Sequence, residues 1–293
     1  MPKVSICIPT YMQEIYLRKT LDSILIQDYE DFELIITDDS PDDTIEQLLS
    51  NYNFDGKLKY YRNSYSLGSP ENWNEAVRKA SGEYIKMLHH DDFFTYSYSL
   101  REFVKLLESS NEVNFAFSAS SVVRVNENKT WIHKASPTQL EALRTNPKIL
   151  FFGNIIGAPS ATIYRNLPQT EYDTSLKWVV DFDFYIRFLL KTRTFNFTDQ
   201  PLISTISGAN HNVTNICENN AEVELFEYLL LYNKIKKSPF IIQNDHFTFF
   251  RQLFAKYNIE SLRDLRLIKQ GMPVPFLLKI FLHMKQLRNA IRA

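Results

Sequence analysis

The 293 residues carry 33 Lys and Arg against 34 Asp and Glu, a formal charge of −1, so no global field draws the chain to nucleic acid. At 44% hydrophobic and 14% aromatic, the composition supports a sizeable core, and the length accommodates a catalytic domain of roughly 210 residues with an appendage. Cys7 and Cys217 are the two cysteines, and Cys7 lies in an apolar run, which argues against a disulfide framework and fits a reducing cytoplasm.

Val4-Ser5-Ile6-Cys7-Ile8 is a β-rich run stopped by Pro9-Thr10-Tyr11, and the residues after it place Ile15, Leu17, Leu21, Ile24 and Leu25 at helical spacing. Phe32 to Thr37 reads as a second strand running into Asp38-Asp39-Ser40-Pro41-Asp42-Asp43-Thr44, a loop dense in acidic and turn-forming residues. A helix from about Thr44 to Tyr52, a strand near Leu58 to Tyr61, a helix near Glu71 to Ala80 and a strand at Tyr84 to Leu88 continue the alternation. The succession predicts an α/β fold with a mostly parallel sheet and right-handed crossovers. Its ligand edge collects Thr10, Tyr11, Asp38, Asp39, Asp91 and Asp92, because open α/β sheets bind at the carboxyl ends of their strands.

The chemistry of that edge is specific. Asp91 and Asp92 suit a hard divalent cation shared with phosphate oxygens; the bland alternative is that Asp91 caps the following helix. Tyr11 offers a flat face to a base, and a carboxylate after the second strand accepts from a uracil-type N–H or a ribose hydroxyl. No Gly-rich turn follows the first strand, which excludes a dinucleotide fingerprint and a Walker-type phosphate loop.

The ordered motifs Val4 to Tyr11, Asp38-Asp39-Ser40, Ser66-Leu67-Gly68 with Asn72-Trp73-Asn74-Glu75-Ala76, Ala80 to Ile85, and Asp91-Asp92 resemble those of family 2 glycosyltransferases of the GT-A fold. The resemblance covers roughly residues 3 to 215. It implies a nucleotide-sugar-binding, Rossmann-like domain over 1–215 that transfers a sugar, usually from a UDP-sugar, with inversion. Residues 216–293 then form a helical extension. By the same resemblance Thr10 and Tyr11 line the base pocket, with Pro9 and Asn72 joining the nucleotide-sugar site. One of Asp38 and Asp39 meets the uracil or ribose, with Asp38 preferred. Asp91 and Asp92 fill the Asp-x-Asp position for Mn²⁺ or Mg²⁺, Asp92 as direct ligand and Asp91 nearer the ribose. The pattern departs from the family where His89 and His90 precede the pair, and these read as structural residues of the strand end in preference to ligands.

Inverting transfer needs a base, because an alcohol attacks poorly until its proton has somewhere to go. Trp178 to Arg187 resembles the family's acidic motif at a helix start, with Asp181 at the position of the catalytic carboxylate. The competing reading makes Asp181 an N-cap and pairs Asp183 with Arg187. Between pair and base, Phe152 to Thr162 resembles the segment that closes the acceptor cleft, and it receives a geometric role only. Ser207 to Thr214 resembles a mobile loop whose His211 lies near the pyrophosphate.

Past Glu218 the pattern is helical: Ala221 to Lys236, Gln243 to Tyr257, a short helix near Ser261 to Lys269, and a last stretch with Leu277, Ile280, Phe281, Met284, Leu287 and Ile291 at helical spacing. Residues 261 to 293 hold seven Lys or Arg against one acid, Asp264. A basic amphipathic end of this kind suits an anionic membrane surface, or else packs on protein. With no signal-peptide pattern and no run of about 18 uncharged apolar residues, the expectation is a cytoplasmic enzyme peripheral to the inner face of the membrane. Its acceptor is then a saccharide or polyprenyl-linked saccharide of bacterial polysaccharide synthesis, and the oligomeric state is left open. The sequons at Asn128, Asn196 and Asn212 carry no meaning in that compartment. The alternatives are an inactive nucleotide-sugar-binding module and a nucleotidyltransferase; the latter would be expected to carry a Gly-rich basic loop where Pro9-Thr10-Tyr11-Met12-Gln13 stands.

Overall fold

The computed structural model describes residues 1–127, 129–168, 170–209, 217–236, 243–268 and 271–292. The chain divides into two compact units, Met1–Ser175 with Val180–Asn212, and Leu176–Val179 with Val213–Ala293.

The first unit opens with the expected alternation: β1 (Val4–Thr10), α1 (Glu14–Leu25), β2 (Phe32–Asp38), α2 (Thr44–Leu49), β3 (Leu58–Arg62), α3 (Glu71–Lys79) and β4 (Tyr84–Met87). It continues through β5 (Phe93–Phe94), α4 (Ser99–Glu108), β6 (Phe115–Arg124), β7 (Lys129–His133), α5 (Pro137–Thr145), two 3₁₀ turns, β8 (Thr162–Arg165), α6 (Val180–Thr192) and β9 (Asn196–Ser207). The strands form one sheet in the order β3-β2-β1-β4-β8-β6-β9-β5, with β7 on β6. The first four run parallel. β8 is antiparallel to both β4 and β6, and β6 then pairs in parallel with β9.

Every residue of β1 and β2 is buried, so helices must cover both faces. Val4, Ile6 and Ile8 point with Leu34 and Ile36 toward Leu17, Leu21 and Ile24 of α1 and Phe103 and Leu107 of α4. Fully burying such a side chain stabilises the fold by about 1.5–3 kcal/mol. The opposite face is aromatic: Tyr164 of β8 packs on Phe184 and Phe188 of α6, and Phe115 of β6 meets Tyr185 and Phe188. In α1 the buried face is Leu17, Thr20, Leu21 and Ile24; Ile15 and Leu25, expected on the apolar stripe, are exposed.

The pairing of β4 with β8 stops at Ile85. Beyond it the two backbones diverge, and the fully buried Lys86 ammonium donates to the carbonyls of Met87, Ser160 and Thr162. Buried carbonyls outside a ladder need such a donor.

The second unit is helical: α7 (Ala221–Ile235), α8 (Asn244–Lys256), α9 (Leu262–Ile268) and α10 (Phe276–Arg292). The buried Glu227 accepts the backbone N–H groups of Lys177, Trp178 and Val179 at 2.8, 2.9 and 3.0 Å. In α10 it is Leu278 and Leu282 that are buried, whereas Ile280, Met284, Leu287 and Ile291 of the expected stripe are exposed. Lys285 pairs with Glu260 at 2.8 Å. Among the described residues no helix is long and apolar enough to cross a membrane.

Candidate active site

β1 and β2 end level, with Thr10 opposite Asp38. Asp38 is wholly buried, and its carboxylate accepts the Ser40 N–H at 2.8 Å and the Tyr60 hydroxyl at 2.9 Å. Burial, then the Asp38 carboxylate, push the Tyr60 phenol up. Asp39 accepts from Asn63 Nδ2 at 2.7 Å and from the backbone of Leu67 and Gly68 at 3.1 and 2.8 Å, which folds the 63–68 loop over the strand ends. Asn72 braces the same corner: Nδ2 donates to the carbonyls of Thr10 and Thr37, and Oδ1 accepts from Asn63 at 2.9 Å. Its amide hydrogens are thus committed to the pocket wall.

The Thr10 hydroxyl is buried with no hydrogen-bond partner among the described residues, and Tyr11 is half-exposed. The Pro9 carbonyl lies 3.3 Å from His90 Nδ1. After Tyr11 the chain turns through Met12 and Gln13, both at φ 58°. A left-handed non-glycine residue costs on the order of 1–2 kcal/mol. The Met12 N–H, donating to Ser40 Oγ at 2.7 Å, helps hold that turn against the Asp38-Asp39-Ser40 loop.

At the end of β4 the Asp92 side chain is 4% exposed. Burial, then the charge of Asp91, push its carboxyl well up, against hydrogen bonds from Ser160 and the Ile206 backbone and the pull of the Lys86 ammonium. Lys86 is itself driven well down by burial. Donor atoms of His89, Asp91 and Asp92 lie within 4.8 Å of one another, a donor set that fits a divalent cation. The His89 ring packs 4.5 Å from Trp73, which Tyr172 supports edge-on at 5.2 Å. Its backbone N–H donates to Ser160 Oγ at 2.9 Å, and burial lowers the imidazole to about 4.

Asp181 lies in the first turn of α6. Its Oδ2 accepts from Asn154 Nδ2 at 2.7 Å and its Oδ1 from the Phe182 N–H at 3.0 Å. Asn154 Nδ2 also donates to the Gly157 carbonyl, while its Oδ1 accepts the N–H groups of Ile156 and Gly157 at 3.0 and 2.9 Å. The Tyr185 hydroxyl donates to that same Gly157 carbonyl at 3.0 Å. Three residues on, Ser160 touches the Asp92 carboxylate. One short segment, 154–160, therefore reaches both Asp181 and Asp92. The buried Tyr185 phenol is pushed well up by burial, then by Asp181 and, more weakly, by Tyr172 and Asp92. Asp183 points elsewhere: it is buried and pairs with Arg187 at 2.7 Å.

Sequence reasoning missed Asn154, which sat in a segment read as geometry alone, and it passed over Ser160 and Tyr185. The Asn-x-x-Gly spacing that makes the 154–157 turn was the available signal for the first. His211 lies outside the described residues.

Residues 5–196 match the family model "Glycosyl transferase family 2", and the chain belongs to that family. It is a transferase with a GT-A-type nucleotide-sugar fold. A Campylobacter jejuni GalNAc(5)-diNAcBac-PP-undecaprenol beta-1,3-glucosyltransferase is 36% identical over 94 residues, 31% of this chain and 30% of the relative. An uncharacterized glycosyltransferase of Methanocaldococcus jannaschii is 28% identical over 206 residues, covering 69% of this chain and 70% of the relative. Matches to the Campylobacter relative and to those of Rickettsia felis, Rickettsia conorii and Rickettsia bellii span 30% or less of those proteins' length. Among solved structures, Staphylococcus aureus TarS 1-349 in complex with UDP-GlcNAc superposes with a TM-score of 0.62 at 18% identity, over 88% of this chain and 72% of that one. A Pyrobaculum calidifontis mannosyltransferase in complex with GDP-Man and Mn²⁺ gives 0.58 at 15% identity, over 81% and 66%. At these identities the likeness is one of fold.

Proposed function

We propose that the chain transfers a sugar, with inversion, from a nucleotide-sugar to a hydroxyl of a saccharide or lipid-linked saccharide acceptor. The observation that carries this reading is the 154–160 segment, which touches Asp181 through Asn154 and Asp92 through Ser160. A base and a diphosphate site on one short segment suit direct displacement, with no covalent intermediate.

The pocket wall of Pro9, Thr10, Tyr11, Asp38, Asp39 and Asn72 would orient the nucleotide, with the Thr10 hydroxyl, unpartnered among the described residues, available to it. Asp91 and Asp92 would hold Mn²⁺ or Mg²⁺. When bound, the cation neutralises charge developing on the departing diphosphate. Asp181 would accept the acceptor's proton, kept in place by Asn154 and the Phe182 N–H. A UDP-sugar is our first choice of donor. The bound ligands named for the two structural relatives, UDP-GlcNAc and GDP-Man, make both bases worth testing. The Campylobacter relative's name carries an undecaprenol-linked substrate, which supports a lipid-linked acceptor in polysaccharide synthesis.

We further infer that the enzyme works at the inner face of the membrane, held there by α10. Its exposed Ile280, Met284, Leu287 and Ile291 lie beside the exposed Lys279 and Arg288, an arrangement that binds anionic bilayers. Thermal-shift screening against UDP-, GDP- and TDP-sugars with Mn²⁺ tests the donor reading, since a ligand specific to the folded state raises apparent stability. A panel with no stabilising member overturns it.

A further inference from the structure

We propose that the His89 imidazole is a third protein ligand of the cation, through Nε2, and that the site therefore prefers a transition-metal ion such as Mn²⁺ or Co²⁺ over Mg²⁺. The inference rests on the metal-dependent reading above and deepens it.

His89 Nε2 is buried and has no hydrogen-bond partner among the described residues. Left so, a buried polar atom is destabilising, and ligation of a cation would satisfy it. Trp73 packs 4.5 Å from the ring, and Ser160 Oγ accepts the His89 backbone N–H at 2.9 Å. A ring nitrogen of His89 lies within 4.8 Å of oxygens from Asp91 and Asp92. Two ligand atoms on one ion lie roughly 3 Å apart when adjacent and roughly 4.4 Å when opposite, so the set closes on a cation with sub-ångström shifts. Ser160 contacts both Asp92 and the His89 backbone and so orients two of the three donors.

Ligand type sets the preference. Mg²⁺ favours oxygen donors in strict octahedral geometry, whereas imidazole suits later divalent ions. A histidine in a carboxylate site therefore weakens the claim of Mg²⁺ more than that of Mn²⁺ or Co²⁺.

Pulsed EPR of the full chain loaded with Mn²⁺, with and without UDP, tests this without turnover. The expected result is a directly bound ¹⁴N coupling in the wild type and in His90→Gln. In His89→Gln that coupling vanishes and Mn²⁺ affinity falls about tenfold, with circular dichroism confirming the fold. His89→Asp should retain Mn²⁺ binding, lose the ¹⁴N coupling and need less Mg²⁺ to displace the bound ion. Mn²⁺ bound without ¹⁴N coupling, or with a coupling that survives in His89→Gln, overturns the assignment and leaves metal dependence standing. No Mn²⁺ binding under either condition overturns both.

Discussion

Asn154 Nδ2 donates to Asp181 Oδ2 at 2.7 Å across 27 residues of sequence. The amide is itself held by the backbone N–H groups of Ile156 and Gly157, so it arrives at the carboxylate already oriented. If Asp181 is the base, replacing Asn154 with Ala removes a donor that favours the ionised form and frees the carboxylate to rotate. We predict that kcat falls on the order of ten- to a hundredfold while donor KM stays nearly constant. The acidic limb of the pH–rate profile should move to higher pH. A change in donor KM alone would assign Asn154 to the pocket wall.

Gly82 explains one of the recognisable motifs in packing terms. A Cβ built there falls 2.6 Å from Ser5 N and 2.9 Å from Val4 C, both backbone atoms of the β1 region that cannot rotate aside. Gly82→Ala should destabilise the fold by about 1–3 kcal/mol through overpacking. Urea unfolding measures it, and an unchanged midpoint would mean that β1 shifts freely.

Glu33 supplies a pH dependence. Its carboxylate is buried, which by itself raises the pKa, but hydrogen bonds from Lys59, Ser5 and Ser81 outweigh burial and bring it down to about 2. The folded value lies below the unfolded one, so the stabilisation is complete above about pH 4.5 and is lost as pH falls toward 2. The full contribution is on the order of 3 kcal/mol. Glu33→Gln should be less stable than the wild type at pH 7, and the gap should narrow as pH falls from about 4.5 toward 2. A gap independent of pH would make the loss one of packing.

The tail makes a separate prediction. With Ile280, Met284, Leu287 and Ile291 exposed, each nearby cation adds about 1 kcal/mol at an anionic surface. Flotation with phosphatidylserine vesicles should retain the full chain and release one ending at Gly271. Equal binding of the two would remove the membrane reading.

The sequence announced the first half of the sheet well, because β1 to β4 and their helices follow local periodicity and share one parallel topology. A strand after the Gly157–Pro159 turn was legible but its place was not, because the antiparallel insertion of β8 between β4 and β6 depends on partners 45 or more residues apart in sequence, which no local pattern encodes. The buried Lys86 illustrates the limit: in sequence it is a charge in an apolar strand, and only the divergence of β4 and β8 explains it. The apolar stripe of α10 was legible but the side the protein covers was not, since Leu278 and Leu282 are buried while Ile280, Met284, Leu287 and Ile291 are exposed. In the acidic motif, Asp183 and Arg187 form the i, i+4 pair of the competing reading, while Asp181 is the carboxylate bonded to the 154–157 turn.

The central claim is that Asp181 removes the acceptor's proton at a site where the donor binds independently. Asp181→Asn keeps the shape and removes the base, so calorimetric binding of the nucleotide-sugar with Mn²⁺ should be nearly unchanged. Acceptor-dependent release of nucleotide should fall by about 10²–10⁴-fold. Turnover at the wild-type rate in that variant would contradict the account.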